Sequence, residues 1–204
     1  KQALNMAIDH LSLYQLTIEQ GTAFGDRYNA GKLRGLPTDD LGADMFERTQ
    51  EICIEHGMPA YEVSNHARDG APSRHNLIYW RYGDYVGIGP GAHGRLTLNG
   101  QRFATESIRA PGAWLKAVAK GSGDCVNVSL APNEYSAEHL MMGLRLVEGI
   151  DATRYEQLAG HPLPRDKVRH LLQIGMVEQS GSILRATDQG RAVLNAVLRE
   201  LLAD

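Results

Sequence analysis

The hydrophobic positions along the chain change period several times, and each change marks an element. Residues 1–8 (KQALNMAI) read as the tail of a helix. Residues 10–19 (HLSLYQLTIE) read as a strand. Its apolar positions, Leu11 and Leu13 then Leu16 and Ile18, shift phase midway, as expected of a strand covered on both faces in a parallel sheet. Gly21 and Thr22 end it, and residues 24–35 form a polar, glycine-punctuated loop with a short helical turn. Thr38-Asp39-Asp40 opens a helix, with a threonine cap and two acids at the positive end of the dipole. Leu41, Met45, Ile52 and His56 lie on one stripe of it, and Gly57 is placed to end it. Residues 60–64 read as a short strand, 65–83 as a long polar loop, and 85–89 (YVGIG) as a buried strand running into a glycine turn. Strands alternating with helices indicate α/β architecture.

From Ser129 the rhythm changes. Residues 133–147 read as a helix with Leu140, Leu144 and Val147 on one face, 153–158 as a second and 165–174 as a third ending at Gly175. Residues 176–187 (MVEQSGSILRAT) form a hairpin turning at Ser180-Gly181-Ser182, and Thr187 caps a last helix over 188–202. Three helices, a hairpin and a closing helix make a winged-helix-like order. Gly121-Ser122-Gly123 is placed to start the linker ahead of it.

Composition narrows the classes. The chain of 204 residues is 43% hydrophobic and 22% charged, as in ordinary globular proteins, and its formal net charge of −3 gives no strong pull toward nucleic acid or an anionic membrane. No apolar run reaches the roughly 20 residues of a membrane span, and no signal peptide is evident. Residues 129–204 carry eight Lys and Arg against ten Asp and Glu, which argues against a DNA-reading wing even though Arg165, Lys167 and Arg169 share one helix. Two cysteines, Cys53 and Cys125, form no metal-spaced cluster and suit a reducing cytoplasm. The chain begins in what reads as mid-helix without Met, so a C-terminal piece of a longer protein is expected.

The chemistry concentrates in residues 73–94. In VGIGPGAHG, glycines at 87, 89, 91 and 94 either make a tight turn or let the backbone approach a nucleotide-like ligand; Pro90 spoils the usual dinucleotide fingerprint. His66, His75 and His93 have no metal-site spacing, and His66 and His93 read as hydrogen-bonded loop residues. His75 has different neighbours. A neutral imidazole can ligate haem iron, Tyr79 and Trp80 can present a flat wall to a porphyrin, and Arg74 can reach a propionate. From spacing alone the simpler alternative is a structural loop, in which His75 and Asn76 cap backbone groups while Tyr79 and Trp80 pack down.

Three stretches, HLSLYQLTIEQGT, YEVSNHARDGAPSRHNLIYWRYGDYVGIGPGAHGRL and LRATDQGRAVLNAVLRELL, resemble the HemW/HemN-like radical S-adenosylmethionine (SAM) family. That family includes oxygen-independent coproporphyrinogen III oxidase and a haem-chaperone relative. The H-N-x-x-Y-W element, here His75-Asn76-Leu77-Ile78-Tyr79-Trp80, is typical of the chaperone branch, where it is implicated in haem binding. The resemblance implies the last strands and helices of a partial (β/α) barrel over 1–120 and a winged-helix-like α+β domain over 129–204. It implies haem contacts at His75, Asn76, Tyr79, Trp80 and Arg74, with His75 the candidate iron ligand. It also implies a [4Fe–4S] cluster on a C-x-x-x-C-x-x-C loop with SAM on the open iron, and this sequence has no such loop. SAM-contacting segments map to Leu16 and Thr17 and to Val86, Gly87, Ile88 and Gly89. Haem-requiring acceptor proteins are the implied partners, with membrane association only through them. The alternative activity is the oxidase, acting on coproporphyrinogen III.

Overall fold

The computed structural model describes residues 1–16 and 18–203, in two compact units, 1–72 and 73–204.

The first unit runs α1 (Gln2–Met6), β1 (His10–Ser12), α2 (Ala23–Asn29), α3 (Asp39–Glu55) and β2 (Asn65–Ala67). The expected helix over 38–57 forms: Thr38 Oγ1 accepts the Leu41 N–H, and Gly57 follows the C-cap with φ +67°. Only its C-terminal end meets the core, where Cys53 and partly buried Ile52 pack with Leu4 and Met58; Leu41 and Met45 stay exposed.

The strand expected over 10–19 is shorter and pairs differently. β1 stops at Ser12 and runs antiparallel to β2, His10 opposite Ala67. Beyond it Leu13 N–H still reaches the Ser64 carbonyl, and then Tyr14 and Leu16 are exposed. The strand expected at 60–64 lies instead at 65–67, because a turn closes around Glu62. This buried carboxylate accepts the Ser64 N–H at 2.7 Å and the Asn65 amide at 2.5 Å, and Tyr61 N–H returns to the Asn65 carbonyl.

The second unit opens with α4 (Arg74–Trp80), inside the segment read as loop. An antiparallel meander follows: β3 (His93–Leu98), β4 (Gln101–Ser107) and, after α5 (Pro111–Val118), β5 (Asp124–Ser129). The β3–β4 hairpin turns at Asn99 and Gly100, both left-handed at φ +52° and +78°, as a tight primed turn requires. Gly121, Ser122 and Gly123 therefore belong to the α5–β5 turn, and no linker starts there. Residues 85–89 form no buried strand. Tyr85 makes one bridge to Arg95, and Val86 and Ile88 are 65% and 85% exposed.

The remainder is α6 (Pro132–Gly143), β6 (Ile150–Asp151), α7 (Ala152–Ala159), α8 (Arg165–Gln173), the hairpin β7 (Val177–Ser180) and β8 (Ile183–Ala186), α9 (Asp188–Ala192) and α10 (Leu194–Leu202). The strands order β6-β8-β7, and Leu140, Leu144, Leu184 and Val197 centre the core. The helix expected over 188–202 breaks at Val193. Gly190 presses α9 onto the Met176 carbonyl and Thr187 Oγ1 donates to Gly175 O, whereas α10 turns to bury Leu194, Val197 and Leu201.

Candidate functional site

Ser73 starts α4: its Oγ accepts the Asn76 N–H at 3.3 Å, one of the donors a helix start leaves unpaired. Helical geometry then places His75 and Tyr79 one turn apart on one face. The Tyr79 hydroxyl lies 2.8 Å from His75 Nε2, and the rings meet edge to face with centroids 4.8 Å apart. Tyr85, from the following loop, packs edge to face on Tyr79 at 4.5 Å, and burial pushes its phenol pKa up. His75 and Arg74 are exposed and Tyr79 is half-buried; Ile78 on α4 and Val86 and Ile88 in the following loop are exposed as well.

Trp80 occupies another face. The Arg145 guanidinium lies 4.5 Å above its ring, and its indole nitrogen is buried without a hydrogen-bond partner. The structure thus joins His75 with Tyr79 and holds Trp80 on the side of α4 that packs on α6. Tyr85 is the member sequence reasoning passes over; it sits one residue before the glycine-rich segment, and only the helix at 74–80 reveals its role.

The end of α4 is locked by a polar lattice. Tyr82 takes a left-handed φ of +57°, a costly conformation for an aromatic residue that must be held by its surroundings. Its hydroxyl donates to Glu138 at 2.9 Å and the Arg102 guanidinium stacks 3.9 Å over its ring; burial, then the bond to Glu138, push its pKa far up. Arg154 donates to the Arg81 carbonyl, Arg102 to Asp84 at 2.7 Å and to the Gly83 carbonyl, and Arg95 to both oxygens of Glu138. Burial raises the Glu138 pKa, but hydrogen bonds from Arg95 and Tyr82 outweigh it and hold the carboxyl below its ordinary value.

The glycine-rich segment serves this packing. A Cβ at Gly87 would strike the His93 backbone, and one at Gly94 the Thr105 hydroxyl, so the close approach those glycines permit is to the chain itself. Gly89 and Gly91 adopt φ of +109° and +72° and supply the turn. Of the other segment expected to contact SAM, Leu16 is exposed in the first unit and Thr17 lies outside the described residues. No group of three or more His, Cys, Asp or Glu that could hold a metal occurs among the described residues. Cys53 is buried and Cys125 exposed, in different units, so these residues do not fit an iron–sulphur cluster. Also among the described residues, no helix is long and apolar enough to cross a membrane.

Comparison with known proteins agrees with this architecture. Residues 130–193 match the family model for the HemN C-terminal domain. The chain is 38% identical over 95% of its length to radical S-adenosyl methionine domain-containing protein 1, mitochondrial, of Mus musculus, covering 46% of that protein. It is 35% identical over its whole length to heme chaperone HemW of Escherichia coli, covering 52%. The solved coproporphyrinogen III oxidase (HemN) of Escherichia coli superposes with a TM-score of 0.70 over 99% of this chain and 50% of that one, at 14% identity. The chain spans about half the length of the curated relatives it matches. Fold and matches together define a radical-SAM-type α/β protein carrying a HemN C-terminal domain. The chain belongs to the HemW/HemN-like radical SAM family.

Proposed function

We propose that this chain is part of a haem chaperone, in which α4 contacts haem destined for haem-requiring acceptor proteins. The observation that carries the reading is the pairing of exposed His75 with Tyr79 on α4, with Tyr85 stacked on Tyr79 and apolar Ile78, Val86 and Ile88 left exposed on α4 and the loop that follows. A porphyrin needs a flat apolar contact, a metal ligand and a cation for its propionates; this surface offers all three, with Arg74 supplying the charge. The heme chaperone names of relatives 35% and 30% identical to the chain support the reading. SAM and a cluster, when bound elsewhere in the protein, would supply radical chemistry; no residue described here is assigned a step in it.

The test is titration of haem into the full-length protein and its His75→Ala variant. The expected result is a Soret band that saturates in the parent protein, with weakened and spectrally altered binding in the variant. An unchanged affinity and band would remove His75 as the haem ligand. Anaerobic formation of product from coproporphyrinogen III by the reconstituted protein would instead favour the oxidase.

A further inference from the structure

We propose that the outer edge of β5 is a self-association surface, on which β5 of a second copy of this chain pairs antiparallel and continues the meander.

The three-stranded sheet has two edges and treats them differently. On the outer side of β3, Tyr85 exchanges both backbone hydrogen bonds with Arg95, at 2.8 and 2.9 Å, and Asp84 Oδ2 accepts the Thr97 N–H at 2.7 Å. The chain itself fills that edge. β5 forms the other one. Leu130 N–H donates to the Arg102 carbonyl, and Val128 and Val126 stand opposite Ala104 and Glu106 in the same phase. Their backbone groups therefore face β4, and the alternation of an antiparallel ladder turns those of Asn127 and Ser129 outward. Among the described residues no hydrogen bond engages these outward groups, and both residues are exposed.

An edge of this kind is a template for another strand, and folds guard such edges with lysine, proline, inward charge or a bulge. From Cys125 to Ser129 the strand carries no charge and no proline. Its bulge, where Glu106 faces Val126 but Ser107 faces Asp124, is confined to the first residues.

The strand is also complementary to itself. A twofold pairing centred on Asn127 sets Asn127 against its own copy with both backbone bonds exchanged. Val126 then stands opposite Val128 of the second copy, once on each side of the axis. These valines lie on the sheet face that buried Arg102 and Leu130 share, and Val128 is 50% exposed there, so the added strand covers it with a β-branched partner. Asp124, the only charge on β5, falls opposite Leu130 of the second copy and about 20 Å along the strand from its own counterpart. No like charges meet. The apolar cross-strand partners come from the strand's own sequence, which favours a second copy over an unrelated peptide.

Sedimentation velocity and thiol cross-linking of the full-length protein decide the matter. The parent is expected to sediment as a dimer. Asn127→Pro removes an N–H that serves no bond within the chain and should raise the dimer dissociation constant at least about tenfold. Val128→Lys, at a half-exposed position, should weaken association without altering the backbone. In a Cys125→Ser background, Asn127→Cys should give an intermolecular disulfide through position 127, read by mass spectrometry of the linked peptides. Directly opposed residues of such a pair lie about 5.5 Å apart at Cα, within disulfide reach. Ser129→Cys in the same background should give none, because it faces position 125, where the thiol is gone. A monomeric parent would overturn the proposal and mean that the edge is covered within the longer chain. A dimer indifferent to both Asn127→Pro and Val128→Lys, or one linked through 129 and not 127, would overturn it as well. Thermal melts that coincide with the parent's separate lost association from lost folding.

Discussion

Arg95 on β3 grips both carboxylate oxygens of Glu138 on α6, its Nη2 at 2.7 Å from one and its Nε at 3.0 Å from the other. The two side chains are only 21% and 19% exposed, and Glu138 also accepts from Tyr82, so the pair joins the meander, the end of α4 and the helical module.

Glu138→Ala leaves the Arg95 charge half-buried without its partner and strips the Tyr82 hydroxyl of its acceptor. The expected loss is about 2–4 kcal/mol of unfolding free energy. Urea denaturation measures it, and a change below about 0.5 kcal/mol would show that the lattice is dispensable.

His139 sets the pH dependence. It is 3% exposed, neither ring nitrogen has a partner, and burial followed by the Arg154 charge lowers its pKa to about 4. The unfolded imidazole, at about 6.5, binds a proton that the folded one refuses, so stability falls as pH drops from about 6.5 toward 4. Glu138 adds to this at the acid end: its depressed pKa gives stability above the ordinary carboxylate range that is lost as pH falls through the folded value. His139→Leu should flatten the decline between pH 6.5 and 4.5 by roughly 1–3 kcal/mol while leaving stability at pH 8 nearly unchanged. A parallel decline in both proteins would refute the assignment.

Two glycines test packing against backbone freedom. Gly190→Ala would force a methyl into the Met176 carbonyl, a backbone atom that cannot yield, and should destabilise by at least about 2 kcal/mol. Gly160, the left-handed C-cap of α7 with open space around it, should lose only about 1 kcal/mol on change to alanine. Thermal melts of the two variants should preserve that order.

Arg74→Gln tests the proposed contact between Arg74 and a haem propionate. An exposed charge pair is worth about 0.2–1 kcal/mol, so haem affinity should weaken by less than about tenfold, and the difference should shrink at high salt. A difference that is insensitive to salt would place the propionates elsewhere.

Much of the helical framework was readable before the structure, because caps are local. Thr38 and Gly57 delimit α3, and Thr187 opens α9, as the side-chain oxygens and left-handed glycine require. The meander was missed although Asn99-Gly100, flanked by alternating residues, is a strong hairpin signal. The glycines just before it match a ligand-binding turn equally well, so the local sequence does not separate the two. α4 was missed because its residues are polar and aromatic without a clean apolar stripe; only Ser73 announced it. The ladder of His75, Tyr79 and Tyr85 depends on that helix, since a spacing of four brings side chains together only when the backbone is helical. The break at Val193 has no local marker and follows from the two surfaces that α9 and α10 cover.

The Tyr82 conformation has a mechanical consequence. A tyrosine kept at positive φ by Glu138, Arg102 and Arg154 acts as a latch rather than a hinge at the C-terminal end of α4. Residues 73–129 and 130–203 are therefore expected to melt as one calorimetric transition, with α4 moving as part of the body that carries the HemN C-terminal domain. If α4 is the haem contact proposed above, an acceptor would have to reach its ligand on a stationary platform, and the transfer rate would follow acceptor concentration.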